Sequence, residues 1–119
     1  MPADPKRLLP LSHVSYHVLV ALADADRHGY GIIKEVSART KGLVEIETGT
    51  LYAALQRMRD EKLIAIAPKS SRPAGEDKRR RIYRLTDFGC LVLQAESTRL
   101  RHLLDVVDEK NALATTSGR

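Results

Sequence analysis

The sequence predicts a mainly α-helical protein with a small β-hairpin, an α+β fold, from two observations. Apolar residues recur at helical spacing in three segments before residue 62 and in one long segment after residue 86. Between these segments, two short runs of strand-forming residues flank a loop of serine, proline and glycine. With 119 residues, 43% hydrophobic and 29% charged, the chain has the size and composition of one domain with a packed core. No apolar stretch reaches the roughly 18 residues of a membrane-spanning helix.

The N-terminal segment divides into an arm and a first helix. Residues 1–10 contain three prolines and predict a flexible arm. Ser12 is a good N-cap, so the first helix is expected to begin after it and to end near Ala25. Its apolar residues share a helical spacing: Leu11, Val14, Val18 and Leu22.

Two further helices follow a short loop that includes Arg27 and His28. The second helix is expected from about Tyr30 to Lys41, with Gly42 as its C-cap. The third helix is expected to begin around residues 47–49 and to end at Glu61 or Lys62. Its core-facing residues recur at i, i+4 and i+7: Leu51, Leu55 and Met58.

The C-terminal half predicts a hairpin and one long helix. The expected order is a strand over 63–67, a loop over 70–77, a returning strand over 79–85, a helix capped by Thr86 that ends near Glu109, and a fraying tail over 110–119. Phe88, Leu91, Val92 and Ala95 are expected to face the core from the first half of this helix.

The positive charge is concentrated in one place. The whole chain carries a net charge of +5, and residues 69–84 alone, with seven basic and two acidic residues, account for that excess. A local basic segment is a candidate footprint for a polyanion. A solvated loop that only aids solubility is the alternative interpretation.

The order of helix, helix, helix, strand, basic loop, strand and long helix predicts a winged helix-turn-helix. In such motifs the second helix, here the third of the chain, enters the major groove of DNA. The basic segment then coincides with the wing, so fold and charge both predict double-stranded DNA as the partner. We therefore expect a DNA-binding unit over residues 11–86.

The candidate DNA-binding residues come from three places. They are Tyr30 and Gly31 at the start of the second helix, Thr50, Tyr52, Gln56 and Arg57 on the third helix, and Lys78, Arg79, Arg80 and Arg81 at the wing. Helix N-termini and basic side chains bind phosphates, and glutamine suits adenine. Structural interpretations stay open: Thr50 as a helix cap, Gln56 as a solvated side chain, Tyr52 packed on the wing, and Gly31 as a residue that permits close packing.

The last helix carries a second apolar stripe, which predicts a homodimer. The stripe consists of Leu93, Leu100, Leu103, Leu104 and Val107. Left exposed, it would form an unusually long apolar strip for a monomer. Residues 87–109 are therefore expected to be a dimerisation helix.

Three blocks, in this order and spacing, resemble the PadR family of bacterial transcriptional regulators. They are residues 28–32 (His-Gly-Tyr-Gly-Ile), residues 49–58 (Gly-Thr-Leu-Tyr-Ala-Ala-Leu-Gln-Arg-Met) and residues 80–89 (Arg-Arg-Ile-Tyr-Arg-Leu-Thr-Asp-Phe-Gly). The resemblance covers about residues 11–107 and is closest to the compact branch of the family. It implies a dimeric repressor at a palindromic operator, with the last helices packed on each other.

The resemblance also implies release from DNA by a small aromatic or hydrophobic effector, as in some members. An effector pocket is then expected between the paired long helices and the first helices, nearest Tyr16, Val92, Glu96 and Arg99. Members often carry a serine and a proline where this chain has Glu47 and Thr48, and two adjacent tyrosines where the first is here Ile82. This chain has no tryptophan, so the stacking of flat ligands on that side chain does not carry over.

Other functions find little support in the residues. No nucleophile–base pair, phosphate loop or pair of catalytic carboxylates predicts an enzyme. His13 and His17 have metal-ligand spacing but no further ligands beside them, so no metal or cofactor is expected. The single cysteine, Cys90, makes a reducing cytoplasm the expected location. A winged helix that binds proteins and has lost DNA binding remains the alternative function.

Overall fold

The computed structural model describes residues 4–68 and 80–110, and it has four α-helices around a small antiparallel sheet. In chain order the elements are a 3-10 helix (Pro5–Leu8), α1 (His13–Ala21), β1 (Arg27–His28), α2 (Gly29–Arg39), α3 (Thr48–Asp60), β2 (Ile64–Ile66), β3 (Ile82–Leu85) and α4 (Asp87–Glu109). The predicted α+β winged-helix fold class is confirmed. Among the described residues, no helix combines the length and apolarity that crossing a bilayer requires.

α1 begins as predicted and ends earlier. The Ser12 hydroxyl oxygen accepts a hydrogen bond from the backbone N–H of Ser15 at 3.0 Å, which is the expected N-cap. The helix ends at Ala21 rather than near Ala25. There the Arg27 side chain donates to the Ala21 carbonyl at 2.8 Å. A residue of β1 thus supplies a hydrogen bond to one of the carbonyls that the helix end leaves without an intrahelical donor.

α2 ends in a left-handed turn that involves a lysine as well as the predicted glycine. Lys41 has a φ of 54° and Gly42 a φ of 80°. The Gly42 N–H donates to the Ser37 carbonyl at 2.8 Å, closing a Schellman-type C-cap. The left-handed residue nearest the helix is therefore Lys41, one position before the predicted cap.

The core lies where α1, α2 and α3 meet the sheet and the first half of α4. Its large, fully buried side chains are apolar except for Glu96 of α4. The apolar ones are Val18, Leu19, Ile32, Val36, Leu51, Leu55, Met58, Leu63 and Val92. The predicted core face of α3 is confirmed. Burying each such side chain contributes about 1.5–3 kcal/mol to folding, and this packing fixes which side of α3 faces outward.

The sheet has three strands rather than the two of the predicted hairpin. β3 lies in the centre, with β2 on one side and β1 on the other, all antiparallel. Arg27 pairs with Tyr83 across the β1–β3 ladder. Arg27 and His28, expected to lie in a loop before α2, thus form a strand that pairs with β3. We call residues 80–85, which follow the predicted wing loop, the base of the wing.

The predicted wing loop, with Lys78 and Arg79, lies outside the described residues. β3 begins at Ile82, so Arg80 and Arg81 precede the strand.

α4 matches its predicted bounds, and its predicted core face is confirmed at Phe88 and Val92 but wrong at Leu91. The Thr86 hydroxyl oxygen accepts from the Gly89 N–H at 2.9 Å, as expected of its cap. The buried positions are Gly89, Val92 and Glu96, whereas Leu91, expected to face the core, is 51% exposed. A Cβ on Gly89 would collide with the Leu63 carbonyl, so the missing side chain lets α4 lie against the backbone that precedes β2.

The N-terminal arm is more structured than expected in its described part. Residues Pro5–Leu8 form a 3-10 helix, and Leu8 and Leu9 pack against the core. The backbone N–H of Leu11 donates to the Glu96 carboxylate at 2.7 Å. The prediction of a flexible arm over residues 1–10 is therefore wrong for this part, because α4 supplies apolar contacts and a buried acceptor.

Candidate nucleic-acid interface

The outward face of α3 is polar along its length. Thr50, Tyr52, Gln56 and Arg57 are all exposed, opposite the buried leucines of the same helix. The Gln56 amide donates to the Asp60 carboxylate at 3.2 Å, which leaves its carbonyl oxygen as a further polar atom on this face. Glu47 is the N-cap residue of the helix, but its side chain accepts no hydrogen bond from the first N–H groups of α3.

Arg57 points away from the centre of this face. Its guanidinium donates to the Ser15 hydroxyl at 3.1 Å, and Ser15 is buried on α1. This bond ties α3 to α1 across 42 positions of sequence. Arg57 is thus a candidate DNA-binding residue of α3 whose side chain already bonds to another helix of the chain.

Of the two candidate phosphate-binding residues at the start of α2, Tyr30 is exposed, whereas the Gly31 N–H already has a hydrogen-bond partner. Tyr30 is exposed, with the Lys34 ammonium 5.4 Å from the centre of its ring. The Gly31 N–H, expected to be open to a phosphate, instead donates to His28 Nδ1 at 3.0 Å. His28 is therefore the N-cap of α2, a role more often filled by serine, threonine, aspartate or asparagine.

A glycine brings α2 and α3 into contact beside this cap. A Cβ on Gly29 would collide with the Tyr52 ring and its hydroxyl. The Tyr52 ring therefore packs directly on the backbone at the start of α2. This contact restrains the position of the ring although the side chain is exposed.

These elements enclose an open pocket of about 450 Å³. Its lining residues come from β1, the start of α2, α3 and the base of the wing: His28, Gly29, Tyr30, Tyr52, Arg80, Arg81 and Tyr83. The lining carries two guanidinium groups, one imidazole and three phenol side chains, and it includes no carboxylate among the described residues. Such a pocket is cationic and rich in hydrogen-bond donors.

The basic residues of the wing base differ in their partners. Arg84 pairs with Asp26 at 2.9 Å, an ion pair that joins β3 to the segment before β1. Arg80 and Arg81 are exposed, and Arg80 Nη1 lies 3.2 Å from His28 Nε2. His28 is the site residue that sequence reasoning missed, and its only signal was its place at the head of the block over residues 28–32.

The predicted dimerisation stripe is exposed toward the end of α4. Leu103 and Leu104 are 47% and 59% exposed, while Leu93, Leu100 and Val107 are half-buried. Leu93 packs against the core of its own chain. The part of the stripe that the chain itself leaves most exposed is therefore at Leu103 and Leu104, in the second half of the helix.

The residues predicted to line an effector pocket lie together between α1, the N-terminal arm and α4. Tyr16 and Ser97 share a hydrogen bond of 2.9 Å between their hydroxyl groups. Val92 is fully buried, and Glu96 is 2% exposed. Arg99 donates to the Glu96 carboxylate, and this hydrogen bond lowers the pKa of Glu96 below its ordinary value. The polar groups among these residues thus already have partners in the chain: Ser97 for Tyr16, and Arg99 and the Leu11 N–H for Glu96.

The two histidines of α1 also have protein partners. Their rings meet edge to face with centres 4.5 Å apart, and the His17 ring contacts the Arg39 guanidinium. Burial, followed by the neighbouring His13, lowers the pKa of His17. Among the described residues, no group of three or more His, Cys, Asp or Glu side chains is arranged to hold a metal ion.

Known proteins resemble this chain in both sequence and fold. A family model described as the transcriptional regulator PadR-like family matches residues 18–95. The structure of a PadR family transcription regulator from Clostridium difficile is 26% identical, with a TM-score of 0.67 over 82% of this chain and 97% of that one. A transcriptional regulator from Clostridium thermocellum is also 26% identical, with a TM-score of 0.68 over 92% and 96% of the two chains.

One structure with similar fold contains DNA. Bacillus subtilis PadR in complex with operator DNA has a TM-score of 0.59 at 21% identity, covering 71% of this chain and 46% of that one.

Proposed function

This chain belongs to the PadR-like family of transcriptional regulators, and from that premise we propose that it is a homodimeric repressor that binds a palindromic DNA operator. In this proposal residues 11–86 bind DNA and residues 87–109 pair two chains, while residues 1–10 and 110–119 form the terminal segments. It has no catalytic activity.

The observation that carries the proposal is the position of the cationic pocket beside the exposed face of α3. A recognition helix reads base edges in the major groove, and flanking cations hold the phosphates on either side. α3 offers Thr50, Gln56 and Tyr52 to the groove, and the pocket offers Arg80 and Arg81 to the backbone. The proposed phosphate contacts extend to Tyr30, Lys78 and Arg79, but not to Gly31, whose N–H already donates to His28 Nδ1. Arg57 is proposed to approach the groove from the α1 side.

The exposed second half of α4 supports the dimer. Leu103 and Leu104 give an apolar surface, and Leu93, Leu100 and Val107 continue the stripe along the helix. Two chains related by a twofold axis present two copies of α3, which fits a palindromic operator. The half-sites are then expected about 34–36 Å apart, or a multiple of that distance.

The proposed effector is a small aromatic or hydrophobic molecule that binds beside Tyr16, Val92, Glu96 and Arg99 and releases the protein from DNA. These residues link α1 of the DNA-binding unit to α4 of the dimer. Because Val92 and Glu96 are covered in the protomer, a ligand must separate α1 or the N-terminal arm from α4 to reach them. That separation would change the distance between the two recognition helices.

Selection of bound sequences from a random duplex library, followed by sedimentation of the complex, tests the proposal. We expect enrichment of an inverted repeat and a complex of two chains per duplex. Recovery of sequences without twofold symmetry, or a complex with one chain, would contradict it. Absence of any duplex binding at low salt would instead favour a winged helix that binds proteins.

A further inference from the structure

The contacts of His28 contain a conflict between hydrogen-bond donors. His28 Nδ1 faces the Gly31 N–H at 3.0 Å, and His28 Nε2 faces Arg80 Nη1 at 3.2 Å. Both facing groups are donors, since a backbone amide and a guanidinium have no acceptor. A neutral imidazole has one acceptor nitrogen, so it can accept from only one of them.

The cap at Gly31 is the contact that keeps the acceptor. The Gly31 N–H belongs to the first turn of α2, where His28 is its side-chain acceptor. Arg80 is exposed, so its guanidinium can be hydrated without the imidazole as an acceptor. The imidazole proton therefore resides on Nε2, which then points a donor at the same space as the Arg80 guanidinium.

Two donor nitrogens 3.2 Å apart can both donate to one acceptor that lies beside them. They open onto the pocket of about 450 Å³ whose described lining holds Arg81, Tyr30 and Tyr52 and no carboxylate. The acceptor that this lining favours is an anionic oxygen. The pocket adjoins the exposed face of α3, so the nearest anion in the proposed complex is a phosphate of the DNA backbone.

We propose that His28 Nε2–H and the Arg80 guanidinium form a clasp for one phosphate oxygen of duplex DNA, an inference that rests on the proposed function. The two donors come from β1 and from the residues before β3, so the bound oxygen connects the start of α2 to the base of the wing. His28 thus has two roles: Nδ1 holds the first turn of α2, and Nε2 contacts DNA.

Two substitutions separate these roles. In His28→Asn, the amide oxygen replaces Nδ1 and keeps the cap, since asparagine is a preferred N-cap residue, but the Nε2 donor is lost. In His28→Gln, the longer side chain returns an N–H near the place of Nε2 but does not preserve the cap. Each variant is therefore the control for the other.

The assay is fluorescence anisotropy on a mixed-sequence 30-base-pair duplex at pH 8, where a histidine imidazole is ordinarily neutral. We expect His28→Asn to bind about 10- to 150-fold more weakly per protomer, the effect of losing a hydrogen bond to a charged acceptor. His28→Gln should stay within about twofold of the wild type in affinity, and have the lower melting temperature of the two variants, because it loses a cap. Equal affinity of His28→Asn and the wild type, or equal weakening of both variants, would overturn the clasp.

The salt dependence gives a second check. A neutral donor releases no counterion, so His28→Asn should keep the wild-type slope of log affinity against log salt. Arg80→Gln should lower that slope by about 0.9 per protomer. A lower slope in His28→Asn would mean that the imidazole is charged in the complex, and would overturn the neutral clasp.

Nitrogen NMR of the histidine rings tests the geometry without DNA, with His28→Gln identifying the His28 signals. We expect the proton on Nε2 in the free protein and a saturable shift of that nitrogen on adding the duplex. A proton on Nδ1 would make Nε2 an acceptor for Arg80 and would overturn the proposal. A saturable shift with inorganic phosphate and none with duplex would assign the pair to a free phosphate and overturn the DNA clasp.

The two proposals fail differently. If the wild type binds no duplex, the proposed function and the clasp fall together. If the wild type binds and His28→Asn binds equally well, the clasp alone is wrong.

Discussion

α3 and α4 each bury one face in the same core, but the exposed face of α3 is polar and that of the second half of α4 is apolar. α3 presents Thr50, Tyr52 and Gln56 beside a cationic pocket, whereas the second half of α4 presents leucines. Both helices are amphipathic, so their hydrophobic periodicity is alike where they meet the core. The comparison shows that the exposed face, rather than the buried one, distinguishes the two helices, and it is on these exposed faces that we proposed a polyanion as the partner of α3 and a second copy of the chain as the partner of α4.

The largest expected effect comes from charging the exposed face of α4. The double substitution Leu103→Asp, Leu104→Asp should abolish dimers at micromolar concentration, because it places two carboxylates per chain in an apolar contact. Operator binding should be lost with the dimer. Sedimentation velocity and a binding titration measure the two outcomes.

His102→Asp is the matched control, since it adds a carboxylate at a neighbouring exposed position outside the leucine stripe. It should leave the dimer intact. A dimeric double variant, or loss of the dimer in the control as well, would show that the leucines do not form the contact.

A smaller effect, on the stability of the fold, is expected from changing Glu96, a buried residue of α4. Glu96→Gln should destabilise the fold by about 1–3 kcal/mol at pH 7, the cost of weakening a buried charged acceptor. The Glu96 carboxylate holds the Leu11 N–H and Arg99, and its pKa is lowered chiefly by the Arg99 hydrogen bond.

The pH dependence of this effect has a defined sign. A carboxylate with a lowered pKa in the folded state contributes stability that is present above its unfolded pKa, about 4.3, and is lost as pH falls through the folded pKa. The difference in unfolding free energy between wild type and Glu96→Gln should therefore shrink between about pH 5 and pH 3. Urea unfolding across that range measures it, and a constant difference would argue against an ionised Glu96 in the fold.

The smallest effect comes from adding a methyl group to either of two glycines, Gly29 at the start of α2 or Gly49 in the first turn of α3. Gly29→Ala should push the Tyr52 ring out of its position and weaken duplex binding, since a Cβ there meets that ring. Gly49→Ala meets no heavy atom within 4 Å and should raise stability by up to about 1 kcal/mol through helix propensity. Thermal melts and anisotropy on the same duplex compare them. Equal behaviour of the two variants would remove the argument that Gly29 positions Tyr52.

The parts of the fold that depend on local sequence were predictable. Ser12 and Thr86 cap their helices as expected, and the periodicity of α3 correctly identified its core face. β1 was missed because its two residues carry no pattern of their own and form a strand only by pairing with β3. The core face of α4 was predicted in part: Phe88 and Val92 contact the core as expected, whereas Leu91 is exposed. The buried Glu96 was missed, because the Leu11 N–H that it accepts lies 85 residues away in the sequence.

The site was predictable as a set of residues but not in its contacts. Tyr30, Tyr52, Arg80 and Arg81 were among the candidates chosen from the sequence, and they line one pocket in the structure. The sequence could not show that Arg57 bonds to Ser15, or that His28 takes the Gly31 N–H, since both depend on how the helices meet.

The most direct test of the account compares Gln56→Ala with Arg80→Ala on an operator and on a scrambled duplex at several salt concentrations. Base contacts discriminate sequence, while phosphate contacts supply affinity and salt dependence. Gln56→Ala should cost about 1–3 kcal/mol on the operator and little on the scrambled duplex. Arg80→Ala should weaken both duplexes alike and lower the salt slope by about 0.9 per protomer. If Gln56→Ala binds the operator as the wild type does and Arg80→Ala keeps the wild-type slope on both duplexes, the exposed face of α3 and its cationic pocket are not the DNA interface.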